Sequence, residues 1–343
     1  MRRRSSSVGL MCGAVLLALA SCSQVLMPDS KVEAKHRWDH VRARLKLQLA
    51  EDAFKAGRLD DASRHLDEAL ALSPQLPAAY ILRARILLEK GETASASEAL
   101  DLALQNGADN AETDYLSGMI SQRYGQFEDA LAWYSRAVHR EPMHAPYVVA
   151  VAETLVALDR VADALALVQS RMTDFEQNAT LRAVAGGIYM MLGRYEDAAN
   201  AYRDAARISP DDKRLTYQLG LALTMAENYQ EGGAVLASAA LDDDADTSVL
   251  VALGRCRLGL RQASEAKAVL RRATEQSPGN PRTWSLLAQA CIDAGDLLGA
   301  RQAAAQAVQL EPANLEYAIL LGYVCCMQQD YTVAAMTLER ILR

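Results

Sequence analysis

Residues 178–210, NATLRAVAGGIYMMLGRYEDAANAYRDAARISP, contain the pattern that decides the fold of this chain. Asn178 is a good helix cap, and alanine and glycine recur at helical spacing after it. Gly193 predicts the end of this first helix, where a left-handed residue is needed. A second helix is predicted from Tyr195, and Pro210 follows its end because proline cannot continue a helix. The stretch therefore predicts a helix–turn–helix unit.

The same unit recurs every 34 residues, without gaps, from residue 43 to residue 343, which gives nine copies. Positions 8 and 20 of each copy hold only alanine or glycine. They are Ala50, Ala84, Gly118, Ala152, Gly186, Gly220, Gly254, Ala288 and Gly322 at position 8, and Ala62, Ala96, Ala130, Ala164, Ala198, Gly232, Ala266, Ala300 and Ala334 at position 20. Small side chains let two antiparallel helices approach closely. Bulky neighbours such as Tyr134, Tyr202, Leu236 and Leu270 are expected to fill the gaps between units.

This pattern of small and bulky residues resembles the tetratricopeptide repeat, and the resemblance covers residues 43–343. It implies an all-α, right-handed solenoid of nine helix pairs in which the first helix of each pair lines a concave groove. The amino-acid composition agrees with an all-α fold. Hydrophobic residues make up 51% of the chain but aromatic residues only 6%, which excludes an all-β fold. The fourth unit departs from the pattern at Asp159, Arg171 and Glu176, so residues 171–178 are a candidate hinge. Alternatively, Arg171 extends to solvent and nothing bends.

Residues 1–21 have the features of an export signal: Arg2, Arg3 and Arg4 followed by a twelve-residue apolar run. The sequence Leu-Ala-Ser-Cys at residues 19–22 resembles a bacterial lipobox, which implies that Cys22 is lipidated and becomes the first mature residue. The alternative is an ordinary secretory signal cut near Ser21. Ser23 is not the aspartate that retains lipoproteins at the inner membrane, so the resemblance implies an outer-membrane location in the cell envelope, facing the periplasm.

Residues 22–42 are predicted to contain the lipidated cysteine, a short linker at Met27-Pro28 and an entry helix starting at Asp29-Ser30. Six basic residues follow: Lys31, Lys35, Arg37, Arg42, Arg44 and Lys46. This local positive charge could rest on anionic lipid headgroups beside the anchor. The alternative is a solvated helix end.

The sequence contains no catalytic motif, so we expect neither an enzyme nor a cofactor. His36 and His40 have the spacing of paired metal ligands but lack a third ligand nearby, so no metal site is predicted. The acidic run Asp242, Asp243, Asp244 and Asp246 lacks the glycine and final acid of a calcium loop. Cys256, Cys291, Cys325 and Cys326 are expected to be small apolar residues rather than disulfide partners. A net charge of −7 argues against a nucleic-acid partner.

The concave groove is therefore the predicted binding site. The candidate partner-groove residues are Tyr115, Met119, Arg123, Met190, Met191, Tyr217, Leu221, Met225, Arg255 and Tyr323. Methionine is flexible and suits varied apolar ligands. The lysine and asparagine pattern with which some family members clamp a carboxylate terminus is absent, so an apolar segment of a partner is the expected ligand. The alternative for each methionine is that it packs in the core.

The architecture resembles tetratricopeptide lipoproteins that help to assemble secretion and pilus machines, namely the TadD family of the tight-adherence (Flp) pilus system and the pilotins, which carry secretin subunits. That resemblance implies a membrane-anchored, protein-binding scaffold whose partner is a secretin or a pilus-assembly protein. The alternative is a general periplasmic scaffold that recruits cell-wall or outer-membrane assembly proteins.

Overall fold

A computed structural model describes residues 27–240 and 246–342, without the side chains of residues 27–30, 338 and 340–342. The predicted signal segment, Cys22 and three residues of the acidic run, Asp242, Asp243 and Asp244, lie outside the described residues.

The described residues form eighteen α-helices, and none of them belongs to a β-strand. In chain order the helices are α1 Met27–Lys55, α2 Leu59–Leu72, α3 Pro77–Glu89, α4 Thr93–Gln105, α5 Ala111–Arg123, α6 Phe127–Arg140, α7 Ala145–Ala157, α8 Val161–Arg171, α9 Ala179–Met191, α10 Tyr195–Ile208, α11 Lys213–Met225, α12 Tyr229–Ala239, α13 Thr247–Gly259, α14 Ala263–Gln276, α15 Pro281–Asp293, α16 Leu297–Leu310, α17 Leu315–Met327 and α18 Tyr331–Leu342. The predicted all-α fold of nine helix pairs is confirmed.

The chain divides into two compact units, Met1–Tyr147 and Val148–Arg343. In the first unit α1 packs on α2, α3 on α4 and α5 on α6, and the first helices of neighbouring pairs touch one another. The same arrangement holds in the second unit, where α11, α13, α15 and α17 follow one another as first helices. The fold of each unit is thus a helical solenoid in which first helices lie side by side.

Close packing recurs between position 8 of a first helix and position 24 of the second helix in the same repeat. A Cβ atom added at Gly118 would lie 2.5 Å from the Tyr134 ring, and one added at Gly186 would lie 2.8 Å from Tyr202. Leu236 and Leu270 occupy the same place over Gly220 and Gly254. From the sequence we expected these bulky residues to fill the gaps between units. Tyr202 and Leu270 do cluster with Leu219 and Leu287 of the following repeats, so they pack both within their own helix pair and toward the next one.

Position 15 ends the first helix of every repeat in the left-handed conformation. It is glycine in five repeats, as predicted at Gly193, where φ is 70°. In the other four repeats Asp159, Glu227, Arg261 and Gln329 adopt φ values of 58° to 63°. Non-glycine residues pay a conformational cost there, so the geometry of the turn is imposed by the packing of the two helices and not by local preference alone.

The fourth repeat, whose sequence departs from the pattern, and the sixth repeat have shortened second helices. Helices α8 and α12 each contain 11 residues, whereas α10, α14 and α16 contain 14. After α8, the Arg171 guanidinium lies 3.3 Å from the Asp174 carboxylate. Arg171 therefore turns toward a local acid in the segment proposed as a hinge.

The first helix extends well beyond the first repeat. Helix α1 begins at Met27 and continues unbroken to Lys55, a length of 29 residues. The predicted linker at Met27-Pro28 and the predicted boundary after residue 42 both fall inside this helix.

The contact between Gly186 and Tyr202 can be tested with its neighbour Gly187 as a matched control. Gly186→Ala should destabilise the protein by about 1–3 kcal/mol, because the added methyl group overlaps the buried Tyr202 ring. In Gly187→Ala the new Cβ lies at an ordinary 3.6 Å from the Tyr202 hydroxyl. This second variant should gain up to about 1 kcal/mol from helix propensity. Urea unfolding measures both, and changes of the same sign would contradict the packing described.

Candidate functional site

The first unit contains a cleft of about 590 Å³ on the surface formed by its first helices. Helix α5 provides more of the lining than any other helix, including the predicted groove residues Tyr115, Met119 and Arg123. The remaining lining residues are Phe54, Arg85, Leu88, Glu89, Asn110, Glu112, Leu116, Glu141, His144 and Tyr147. Three of the predicted residues therefore share one site, which also contains charged and aromatic side chains.

Arg85 is held in place inside this cleft by two contacts. Its guanidinium group lies over the Phe54 ring, 4.7 Å from the centroid, and 3.3 Å from the Glu112 carboxylate. The ring and the carboxylate come from the helices before and after that of Arg85, so the cation joins three consecutive first helices. An arginine fixed in this way presents its remaining N–H donors in a set direction.

An aromatic cluster forms the other wall of the cleft. The Tyr115 and Tyr147 rings lie 5.0 Å apart, and the His144 and Tyr147 rings lie 4.0 Å apart. Burial, together with the nearby charges of Glu141 and Glu112, raises the pKa of Tyr147 to about 12. The phenol therefore stays protonated at neutral pH. Tyr147 itself is buried, whereas His144 is exposed and Tyr115 partly so, and these two rings suit a side chain with apolar or cationic groups.

The second unit contains a smaller cleft, of about 390 Å³, between first helices α11, α13 and α15. Tyr217, Leu221 and Arg255 line it, so three more of the predicted residues share a site. The other lining residues are Thr247, Ser248, Val251, Ala252, Ser277, Asn280 and Arg282. Met225 lies at its edge, with its sulfur 3.9 Å from the Arg255 guanidinium nitrogens.

The remaining three predicted residues lie elsewhere on the second unit. Met190 is partly buried and packs against the cluster that contains Tyr202 and Leu219. Met191 and Tyr323 are exposed, at 59% and 54%. The predicted site is therefore not one pocket: it comprises two clefts and separate exposed side chains along the first-helix surfaces.

The lining residues absent from the prediction are of two kinds. Phe54, Glu112 and Val251 lie on the first helices, which the resemblance places along the groove, so the 34-residue period could have identified them. Others lie in the turns between repeats, for example Glu141, His144, Ser277 and Asn280. His144 and Asn280 share repeat position 34 with the predicted helix cap Asn178, but a capping position does not indicate which caps line a cleft.

The described cysteines are free thiols. Cys256, Cys291 and Cys325 are buried, and Cys326 is exposed. Burial raises the pKa of the Cys256 thiol, whose sulfur lies 3.0 Å from the Thr224 hydroxyl. Within the described ranges no group of three or more histidine, cysteine or acidic side chains is placed to hold a metal ion. None of the described helices combines the length and apolar character needed to cross a bilayer.

Comparison with known proteins gives matches of sequence and of fold. A tetratricopeptide repeat family model matches residues 53–119 and 223–290, and a second model of the same description matches residues 186–247. TPR repeat-containing thioredoxin TDX of Arabidopsis thaliana is 31% identical over 105 residues, which are 31% of this chain and 27% of that protein. The chain thus spans little more than a quarter of that relative's length.

Two solved structures resemble the fold. The pilus biogenesis factor PilW gives a TM-score of 0.53 at 20% identity, over 61% of this chain and 98% of PilW. The Cut9–Hcn1 hetero-tetramer of APC/C gives 0.52 at 16% identity, over 82% of this chain and 55% of the other. At such identities the likeness is one of fold alone. The family models, which together match just over half of the chain, and the nine helix pairs show that this protein belongs to the tetratricopeptide repeat family.

Proposed function

We propose that this chain is a non-enzymatic scaffold that holds an apolar segment of a partner protein on the first-helix surface of its second unit. In this proposal it assists the assembly of a pilus or secretion machine, and its partner is a secretin or a pilus-assembly protein, as in TadD and the pilotins. A lipid on Cys22 anchors it to the outer membrane, facing the periplasm.

The observation that carries the proposal is an exposed apolar stripe on α17. Leu315, Ile319, Tyr323 and Met327 are spaced four residues apart and are 52%, 51%, 54% and 42% exposed. They occupy repeat positions 1, 5, 9 and 13. Positions 5 and 9 are also those at which Tyr217, Leu221 and Arg255 line the cleft in the same unit. Transfer of such apolar surface out of water is favourable by about 25 cal/mol per Å² before the cost of association is subtracted, so this face favours an apolar ligand segment.

The second cleft gives the same surface a polar component. Thr247, Ser248, Asn280 and two arginines surround Tyr217 and Leu221 there. Polar groups beside apolar ones fix the register of an extended or helical segment, because each donor needs a matching acceptor. An apolar segment with a few acidic or carbonyl acceptors would suit both parts of the surface.

The proposed location rests on the sequence before residue 27. The basic start, the twelve-residue apolar run and Leu-Ala-Ser-Cys at residues 19–22 support export and lipidation, and Ser23 supports the outer membrane. PilW, whose fold resembles this one over 98% of its length, is described as a type IV pilus biogenesis factor. Its fold suits a role of this kind, and the pilus assignment itself is part of the proposal.

The stripe on α17 predicts a charge-sensitive interaction. The double variant Ile319→Glu, Tyr323→Glu should reduce partner recovery at least tenfold, because carboxylates would be buried against an apolar ligand without partners. Both positions are exposed, so the fold should persist. The measurement is chemical crosslinking in intact cells, affinity purification and mass spectrometry. Met336→Glu on α18, where Met336 is 66% exposed, is the control.

The outcome also separates the two candidate roles. Recovery of a secretin or pilus-assembly protein by the parent and by Met336→Glu, but not by the double variant, supports the proposal. Cell-wall enzymes or outer-membrane assembly proteins with the same dependence would indicate the general envelope scaffold instead. Equal recovery by all three proteins would exclude α17 as the binding surface.

The anchor predicts a covalent modification at one residue. The parent should incorporate radiolabelled palmitate in cells and fractionate with outer membranes, whereas Cys22→Ser should lose the label completely. Cys256→Ser, a conservative change at a buried thiol, is the matched control and should keep the label. Unlabelled parent protein would show that residues 1–21 act as an ordinary secretory signal or not at all.

A further inference from the structure

Helix α1 has two apolar faces, and the structure covers only one of them. Ala43, Leu47 and Ala50 are buried in a cluster that includes residues of α2. Trp38, Val41, Leu45 and Leu49 lie on the opposite face and are 62%, 58%, 63% and 42% exposed. A helix that only completed the first repeat would need just the first of these faces.

The exposed residues form one continuous stripe. At about 100° per residue, Trp38, Val41, Leu45 and Leu49 fall within less than a quarter of the helix circumference. From Trp38 to Leu49 the stripe is about 17 Å long, at about 1.5 Å per residue. Asp52, which is exposed on the same side one turn later, ends it. The stripe lies in the part of α1 that precedes and begins the first repeat.

Basic side chains lie on both sides of this stripe. One edge of the stripe is lined by Lys31, Lys35, Arg42 and Lys46, and the other edge by Arg37 and Arg44. Measured around the helix axis, each of these residues lies within about 120° of the centre of the stripe. Lys46 forms an ion pair with Glu68 at 2.5 Å, and Arg42 lies 3.8 Å from Asp39. The other four form no ion pair with any residue in the described part of the chain. Glu33 and Asp39 lie farther from the stripe around the helix axis, toward the packed face.

We propose that α1 lies flat on an anionic membrane surface, with this stripe in the headgroup region. An apolar stripe between two basic edges matches such a surface, because the side chains can bury their stems while their charges reach lipid phosphates. A second copy of this chain would be a poor occupant, since two basic edges would face each other. The inference goes beyond the proposed function and requires no lipid on Cys22.

The test uses the full chain carrying Cys22→Ser, so that no acyl chain contributes. It is mixed with vesicles of phosphatidylcholine alone or with phosphatidylglycerol added, each containing brominated acyl chains that quench tryptophan. Subtracting the spectrum of Trp38→Phe isolates Trp38 from the other two tryptophans. Trp38 emission should shift to shorter wavelength and be quenched several-fold more strongly on the anionic vesicles.

Two variants test the two parts of the surface. The first variant carries Lys31→Glu, Lys35→Glu and Arg44→Glu, and the second carries Val41→Ser and Leu45→Ser. Each variant should lose most of the Trp38 quenching. Arg207→Glu, Arg261→Glu, Arg271→Glu changes the charge by the same amount at exposed arginines outside α1 and outside both clefts, and should leave the quenching unchanged. Circular dichroism verifies that all three keep their helix content.

Three results would overturn the proposal. The first is equal Trp38 quenching on both kinds of vesicle, and the second is an equal loss of quenching in the Arg207, Arg261 and Arg271 variant. The third is a dimer detected by sedimentation without vesicles that dissociates in Val41→Ser, Leu45→Ser, because the stripe would then bind a second copy. Each of these is distinguishable from a failure of partner binding at α17.

Discussion

The structure depends on a steric constraint that repeats along the chain: position 8 of each first helix must be small enough to receive the side chain at position 24 of the second. Glycine at Gly118 and Gly186 admits the rings of Tyr134 and Tyr202, and glycine at Gly220 admits Leu236. These contacts set how closely the two helices of a pair approach. Alanine at position 20, fully buried in seven of the nine repeats, provides the same close approach.

Because packing uses one face of each first helix, the other face is left for ligands. Positions 5 and 9 line the clefts around Tyr115, Met119, Tyr217 and Leu221. The character of this face changes along the chain. It is polar and aromatic in the first unit, where Arg85 and Glu112 pair, and it is mainly apolar on α17. On α1 a different face is uncovered, because Leu45 and Leu49 occupy positions 3 and 7 whereas Leu47 at position 5 is buried, and that face is apolar with basic edges. One repeating scaffold therefore presents three surfaces of different chemistry.

The period of 34 residues predicted the helices, their order and much of the core, because close helix packing restricts residue size at fixed positions. Asn178 caps α9, with its side-chain oxygen accepting from the Leu181 amide at 2.8 Å, as expected from sequence. Cleft residues in turns, such as His144 and Asn280, were not identified, although they share position 34 with Asn178, because a capping position does not indicate which caps line a cleft. The exposure of Trp38 and Leu45 was not predictable either, because a helical apolar pattern does not show which faces are covered by another helix.

Site-specific photo-crosslinking along α17 and α18 in intact cells tests whether the face left free by helix packing is the face that binds. A photoreactive amino acid would be placed in turn at Leu315, Ile319 and Tyr323, and at the exposed Met336 on α18. If the α17 face binds the partner, we expect crosslinks to one partner protein from the three α17 positions and none from Met336. Crosslinks from Met336 alone, or none from α17, would contradict this expectation.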